Sequence, residues 1–301
     1  MTQLAALPTG RPQRIVFLGT PEIAVAPLEA LVAAGFEVVL VVTRTDKRRG
    51  RGTEMSPSPV KEAATRLGLE VSHDVEDVLT VNADLGVVVA FGQIIKPHIL
   101  EKLPMLNLHF SLLPRWRGAA PTERAILAGD EVTGVCLMQV AVDLDAGPLL
   151  DMVEVSVASI DTAEALRQRL VLVGCERLVT ALQRGLPEPQ PQVGEVTYAA
   201  KLNIDEFRIN WRESAHDIDR MVRVGLAWTM FRGRRLKIVE CQLGVDIGGP
   251  GDFLSANVIA CGHGSITLIR VQPEGKPVMD ASAWANGARP NTSDNLLDSP
   301  E

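Results

Sequence analysis

Long hydrophobic runs are missing from this 301-residue chain. No stretch of about 18 apolar residues free of charge occurs, so none reads as a membrane-spanning helix. Residues 1–13 also lack the apolar stretch of a signal peptide, and the cytoplasm is the expected location. Cysteine is scarce and scattered: Cys136, Cys175, Cys241 and Cys261 form no C-x-x-C pair and no close Cys/His group. That spacing argues against a disulfide framework and a Cys/His zinc site, and no metal is expected. A strong excess of one charge is absent too, with 30 Lys plus Arg against 37 Asp plus Glu and a formal net charge of -7. This balance argues against a protein that coats nucleic acid over its whole surface, but it leaves room for a local basic patch. Finally, the turn Gly19-Thr20-Pro21-Glu22 is no G-x-G-x-x-G. It has one glycine, and an acid stands where a pyrophosphate would sit, so a nicotinamide-dependent oxidoreductase fits poorly.

What is present reads as two domains, at roughly 150 residues per domain. Aromatics are only 4%, yet the 46% hydrophobic and 22% charged fractions are those of an ordinary globular protein. β-Branched or apolar runs recur at Ile15–Gly19, Glu37–Thr43, Leu85–Ala90, Met105–Phe110 and Val135–Val140. Helical segments separate the first of them, with Thr20 as N-cap, Pro21 at the first helical position and Gly35 past the end. The pattern predicts an α/β domain over 14–185 with a doubly wound parallel sheet. Ala163, Leu166, Leu170, Val173, Leu178 and Leu182 have helical spacing, and Pro187, Pro189 and Pro191 follow. Residues 186–205 are therefore expected to be a stiff linker. Short strands at Arg234–Cys241, Asn257–Cys261 and Ser265–Gln272 predict a small β-barrel or sandwich over 206–289. The polar tail 290–301 is expected to be disordered.

The segment Met105 to Phe110 carries the first candidate chemistry. Asn107 and His109 are two apart on a strand and project to one face. Two polar side chains there cost free energy unless they are hydrogen-bonded, and strand ends are where α/β sheets bind ligands. The alternatives are a satisfied core pair and a site. Asp145, in the acidic turn Val142 to Pro148, is a second candidate, since a carboxylate could orient the imidazole; the same residues are also ordinary turn formers.

A third feature is the insertion Arg44 to Lys61, where Lys47, Arg48, Arg49 and Arg51 place four cations in five residues. It is either a solvated loop or a phosphate-backbone contact. Arg232, Arg234, Arg235 and Lys237 form a second basic cluster at a strand start.

At these residues the chain resembles the methionyl-tRNA formyltransferases, within the wider family that transfers a formyl group from 10-formyltetrahydrofolate. FLGTPEIAV from Phe17, GRGTEMSPSPVK from Gly50, VVVAFGQIIKP from Val87, LNLHFSLLPRWRGAAP from Leu106 and GVCLMQVAVDLDAGPLL from Gly134 carry the likeness, which spans nearly all of 14–285. It implies a Rossmann-like catalytic domain followed by an oligonucleotide-binding type of β-barrel. Asn107 would bind the formyl oxygen, while His109 and Asp145 would share proton transfer. Ser111, Leu112, Leu113 and Pro114 would bind the folate, and Phe91, Gly92, Ile94 and Ile95 would line the pterin pocket. Lys47, Arg48, Arg49, Arg51, Arg232, Arg234, Arg235 and Lys237 would hold initiator methionyl-tRNA, with Arg51 foremost. The expected enzyme is a monomer without a metal. Phe110 and Pro148 depart from the usual residues beside the histidine and after the aspartate. A different amine acceptor, such as an amino sugar nucleotide, and an idle tRNA-binding module are the alternative readings.

Overall fold

Strand β1, Arg14–Gly19, is almost wholly apolar and its last five residues are buried, which requires cover on both faces. The computed structural model describes residues 3–48, 55–291 and 293–297. β1 lies inside a seven-stranded sheet with β2 (Glu37–Val42), β3 (Val71–Ser72), β4 (Leu85–Val89), β5 (Met105–His109), β6 (Val132–Gln139) and β7 (Leu149–Ser156). The order is β7-β6-β5-β4-β1-β2-β3. Pairings among β1 to β5 are parallel, whereas β5–β6 and β6–β7 are antiparallel. The predicted strands are present, but the all-parallel expectation fails at that edge. For β6–β7 the reason is length, since the loop Val140 to Pro148 is shorter than the crossover of about a dozen residues or more that parallel neighbours need.

The pleat divides the core. Val16, Leu18, Val42, Val88 and Met105 share one buried cluster with Phe91 and Ile99. Asn107 lies in register with Val88 and therefore on that same face. The other face is covered in part by the helix Ala163–Arg184, whose Leu166, Leu170, Leu178 and Leu182 are fully buried. A Cβ on its Gly174 would meet the Leu108 and Val135 side chains at 3.0 and 3.4 Å, so glycine allows close approach to β5 and β6.

Local chemistry explains most element ends. The Asp84 carboxylate accepts the backbone N–H groups of Gln13 and Arg14 at 2.7 and 2.9 Å, fixing the start of β1. Those same bonds hold its pKa below the ordinary value. Thr20 is not an N-cap. Its hydroxyl donates to the Phe91 carbonyl at 3.3 Å, and the chain enters α1 (Val25–Ala33) through a 3-10 turn at Glu22–Ala24. Gly35 ends that helix at φ +80°, as expected.

The stretch expected as a linker is built into the first unit, which continues to Ala200. Gln190 and Leu149 exchange backbone hydrogen bonds at 2.7 Å in both directions, and Tyr198–Ala199 pairs with Arg117–Gly118. Three prolines stiffen the segment without freeing it.

The second unit comprises residues 201–301 with 123–131 and 157–165. Its antiparallel sheet contains β8 (Trp228–Phe231), β9 (Arg234–Gly244), β10 (Val258–Ala260), β11 (Ser265–Pro273) and β12 (Met279–Asp280), ordered β8-β9-β11-β10 with β12 also on β11. The expected small barrel takes the form of a curled half-barrel, and register shifts between Ile238 and Cys241 bend β9. Ile218 and Val222 of one helix and Trp284 of another join Leu236, Ile238, Ile266 and Leu268 in its core. Part of the tail expected as disordered is ordered here, with Leu296 buried and its N–H bound to the Gly251 carbonyl at 2.9 Å. Residues 298–301 lie outside the described residues.

Candidate active site

Asn107 and His109 project from β5 to one face, as their spacing predicts. Asp145 reaches them differently from the expectation. β6 runs antiparallel to β5, so its last residue, Gln139, lies beside Leu106 rather than beside His109. The loop Val140 to Pro148 must fold back over the sheet, and Asp145 takes φ +47° within it. A non-glycine residue in that region needs surrounding contacts to hold it.

Those contacts converge on its carboxylate. Oδ1 accepts the Asn107 Nδ2–H at 3.2 Å, and Oδ2 accepts the Gly118 backbone N–H at 2.8 Å. His109 Nδ1 lies 3.7 Å from Oδ2. The imidazole, only 5% exposed, is held from its other side, where Nε2 stands 2.9 Å from the Trp116 carbonyl. A carbonyl only accepts, so Nε2 carries a proton and Nδ1, facing Asp145, is the nitrogen that binds or releases the second one. The three sequence candidates therefore meet in one place, although 38 residues separate the first from the last.

The Ser111 to Pro114 segment, expected to bind the folate, directly follows β5 and is mostly buried. Ser111 is fully buried and its hydroxyl donates to the Arg115 carbonyl at 2.6 Å, which shapes the loop. Leu113 packs with Cys136 and Met138, and Pro114 is buried. Leu112 alone is partly open, resting against Gly134. Beneath the loop, the Leu113 N–H donates to Cys136 Sγ at 3.4 Å, and burial pushes that thiol up to about 11. Phe91 is buried in the core at 3% exposed, Gly92 is exposed, Ile95 is half-buried and Ile94 is 87% exposed. Exposed aliphatic side chains also stand on the Asp145 loop, at Val142 and Leu144. Apolar surface with backbone polar groups beside it suits a flat heteroaromatic ring such as a pterin. A cavity of about 360 Å³ opens elsewhere, between Thr20, Arg44, Lys47 and Ser58, and includes none of the three candidates.

The basic segments divide. Lys47 is exposed on a two-residue strand paired with Met55–Ser56. Arg49, Arg51 and the side chain of Arg48 lie outside the described residues. The base of the insertion is pinned by Thr43 and Ser58, whose hydroxyls are 2.8 Å apart, and by Lys61 on Asp46 at 2.8 Å. In the second unit, Arg235 lies over the Trp228 ring at 4.1 Å, and Lys237 pairs with Trp228 in register, placing both on one outer face. Arg234 is exposed. Arg232, expected among the RNA-binding cations, is exposed but paired within the chain. Its guanidinium donates to both Asp294 oxygens and to the Ala288 and Arg289 carbonyls.

Composition and spacing did not point to Gln192, Gly118 or the Trp116 carbonyl. Gly118 lies in the R-W-R-G-A-A-P run, and its φ of +116° gives that glycine a reason.

Comparison with known proteins decides the family. A formyl transferase model matches residues 13–182, and a formyl transferase C-terminal domain model matches 201–289. The chain belongs to the formyl transferase family. A methionyl-tRNA formyltransferase of Jannaschia sp. (strain CCS1) is 44% identical, covering 92% of this chain and 97% of that protein. One of Ruegeria pomeroyi is 45% identical, covering 91% and 97%. Among solved structures, the N-formyltransferase of Helicobacter canadensis in complex with folinic acid and dTDP-3-aminofucose shares the fold at TM-score 0.68 and 20% identity, over 85% of this chain and 98% of that one. HypX of Aquifex aeolicus in complex with tetrahydrofolic acid does so at 0.64 and 16%, over 93% and 48%.

Proposed function

We propose that this chain transfers the formyl group of 10-formyltetrahydrofolate to the α-amine of methionine carried on initiator tRNA. The observation that carries the reading is end-to-end likeness at 44–45% identity to proteins named methionyl-tRNA formyltransferase. Convergence of Asn107, His109 and Asp145 within the family's catalytic domain supports it. Cationic side chains in both units, at Lys47 and at Arg235 with Lys237, suit a phosphate backbone. Among the described residues, no helix is long and apolar enough to cross a membrane.

The amine nitrogen attacks the formyl carbon, and negative charge develops on the formyl oxygen. A carboxamide has two N–H groups. One of Asn107's goes to Asp145, and the other serves that oxygen. His109 Nδ1 takes the proton from the attacking amine, and the resulting imidazolium faces the Asp145 carboxylate. When the bond to the folate nitrogen breaks, that nitrogen receives the proton, leaving tetrahydrofolate and formylmethionyl-tRNA. No covalent enzyme intermediate is needed, so positioning and charge stabilisation supply the rate.

The test is incubation of the purified chain with 10-formyltetrahydrofolate and methionyl initiator tRNA, beside a His109→Ala control. Formylmethionyl-tRNA that the control fails to make supports the reading. Tetrahydrofolate release only with a different amine overturns the acceptor, and no release with any amine overturns the catalytic reading.

A further inference from the structure

Gln192 lies in the proline-rich stretch after the long helix, where its neighbours Pro191, Val193, Gly194, Glu195 and Val196 are all exposed. Gln192 alone among these is turned in. Its Nε2 donates to two carbonyls of the acidic turn, Asp145 O and Gly147 O, each at 2.8 Å. Its Oε1 accepts from Arg117 Nε and Nη2 at 3.2 and 2.6 Å. One amide therefore bridges the loop that carries the Asp145 carboxylate and the strand whose next residue, Gly118, donates to that carboxylate.

The arrangement meets a specific need. Asp145 holds a left-handed backbone conformation at φ +47°, which is strained and persists only where neighbours over-determine it. Asn107 and Gly118 fix the carboxylate end of the residue, but they do not hold its backbone. Gln192 does, by engaging the Asp145 carbonyl and the carbonyl two residues on. Both amide hydrogens and the amide oxygen are used, and a carboxylate of the same shape lacks the two donors.

The geometry points to Gln192 as a positioning residue for formyl transfer, one that sets the Asp145 carboxylate against Asn107 and His109 without touching substrate. This rests on the reading that Asp145 serves the reaction. Partners that orient metal ligands from behind change activity about 10- to 100-fold when removed, and the same order is expected for a partner that orients Asp145.

Steady-state formylation of methionyl-tRNA by the full-length chain tests it, with Gln192→Glu, Gln192→Met and Asp145→Asn compared. Glutamate keeps the acceptor for Arg117 and loses the donors; methionine keeps only the volume. The expected result is that kcat falls about 10- to 100-fold in both Gln192 variants, with KM for methionyl-tRNA and for 10-formyltetrahydrofolate unchanged and the fold of Gln192→Met intact by circular dichroism. Adding Gln192→Met to Asp145→Asn then costs little more, because the two changes act on one group. Wild-type kcat in Gln192→Glu beside an inactive Asp145→Asn overturns this inference alone. Full loss in the double variant on top of Asp145→Asn overturns it as well, leaving a purely structural role. Full turnover in Asp145→Asn sinks the role of Asp145 and this inference with it.

Discussion

The Asn107 side-chain amide donates to Asp145 Oδ1 at 3.2 Å, so the group suited to a developing oxyanion is oriented by the group that faces the imidazole. The bond turns one amide hydrogen toward the carboxylate. On the proposed reading the other faces substrate and the three side chains act as one assembly, in which losing a member disturbs the remaining two.

Replacing Asn107 with alanine is therefore expected to lower kcat by about 10²- to 10³-fold, the usual effect of deleting one oxyanion donor, while KM for methionyl-tRNA stays near wild type. A variant with near-normal turnover contradicts the assigned role.

Gly118→Ala is expected to harm both stability and turnover. The residue holds φ +116°, and an added Cβ would come within 2.9 Å of the Ala199 carbonyl oxygen. Relief requires moving the strand whose N–H binds Asp145. Denaturant titration should show a loss of roughly 1–3 kcal/mol, with kcat reduced in parallel.

Cys136 is expected to resist alkylation in the folded protein. Its thiol is held up at about 11 by burial, so at pH 8 only about one molecule in a thousand carries the reactive thiolate. Mass spectrometry after iodoacetamide treatment should find it unmodified and formylation intact, with labelling appearing once the chain is unfolded.

Asp84 makes part of the stability pH-dependent. Its folded pKa is depressed below 3.8, first by the Arg14 N–H and then by that of Gln13. A depressed carboxylate contributes stability above its unfolded pKa and loses it as pH falls through the folded value. Asp84→Asn should thus be less stable than wild type at pH 7, by under about 1 kcal/mol at this exposed site, and the gap should close in strong acid. Denaturant midpoints across pH check the sign.

Arg232 and Arg235 should separate in their effects. Arg232→Ala removes the tie to Asp294 and should lower the thermal midpoint while leaving the salt dependence of tRNA binding unchanged. Arg235→Ala and Lys237→Ala should each flatten the slope of log K against log salt by about one.

Much of this was legible along the chain. The apolar runs found five strands of the first sheet but not Val71–Ser72 or Leu149–Ser156, and the period-two spacing of Asn107 and His109 placed them on one face. The basic residues were legible as cations but not as partners: Arg232 looked like its neighbours until Asp294, 62 residues on, claimed it. The proline-rich stretch read as a linker because composition reports stiffness, while packing against the first unit depends on Gln190 and Gln192 finding partners elsewhere.

By itself the sequence indicated five strands of the first sheet, the long helix Ala163–Arg184 and the residue types that could supply chemistry, because periodicity and motif spacing are local properties. Tertiary structure alone decided the rest. The antiparallel turn of β6 sends the acidic loop back across the sheet to bring Asp145 onto Asn107 and near His109. Ser111 and Phe91 turn into the core, and Gln192 reaches the loop behind the carboxylate. Such contacts join positions tens of residues apart, and only the folded packing of the chain determines which distant groups meet.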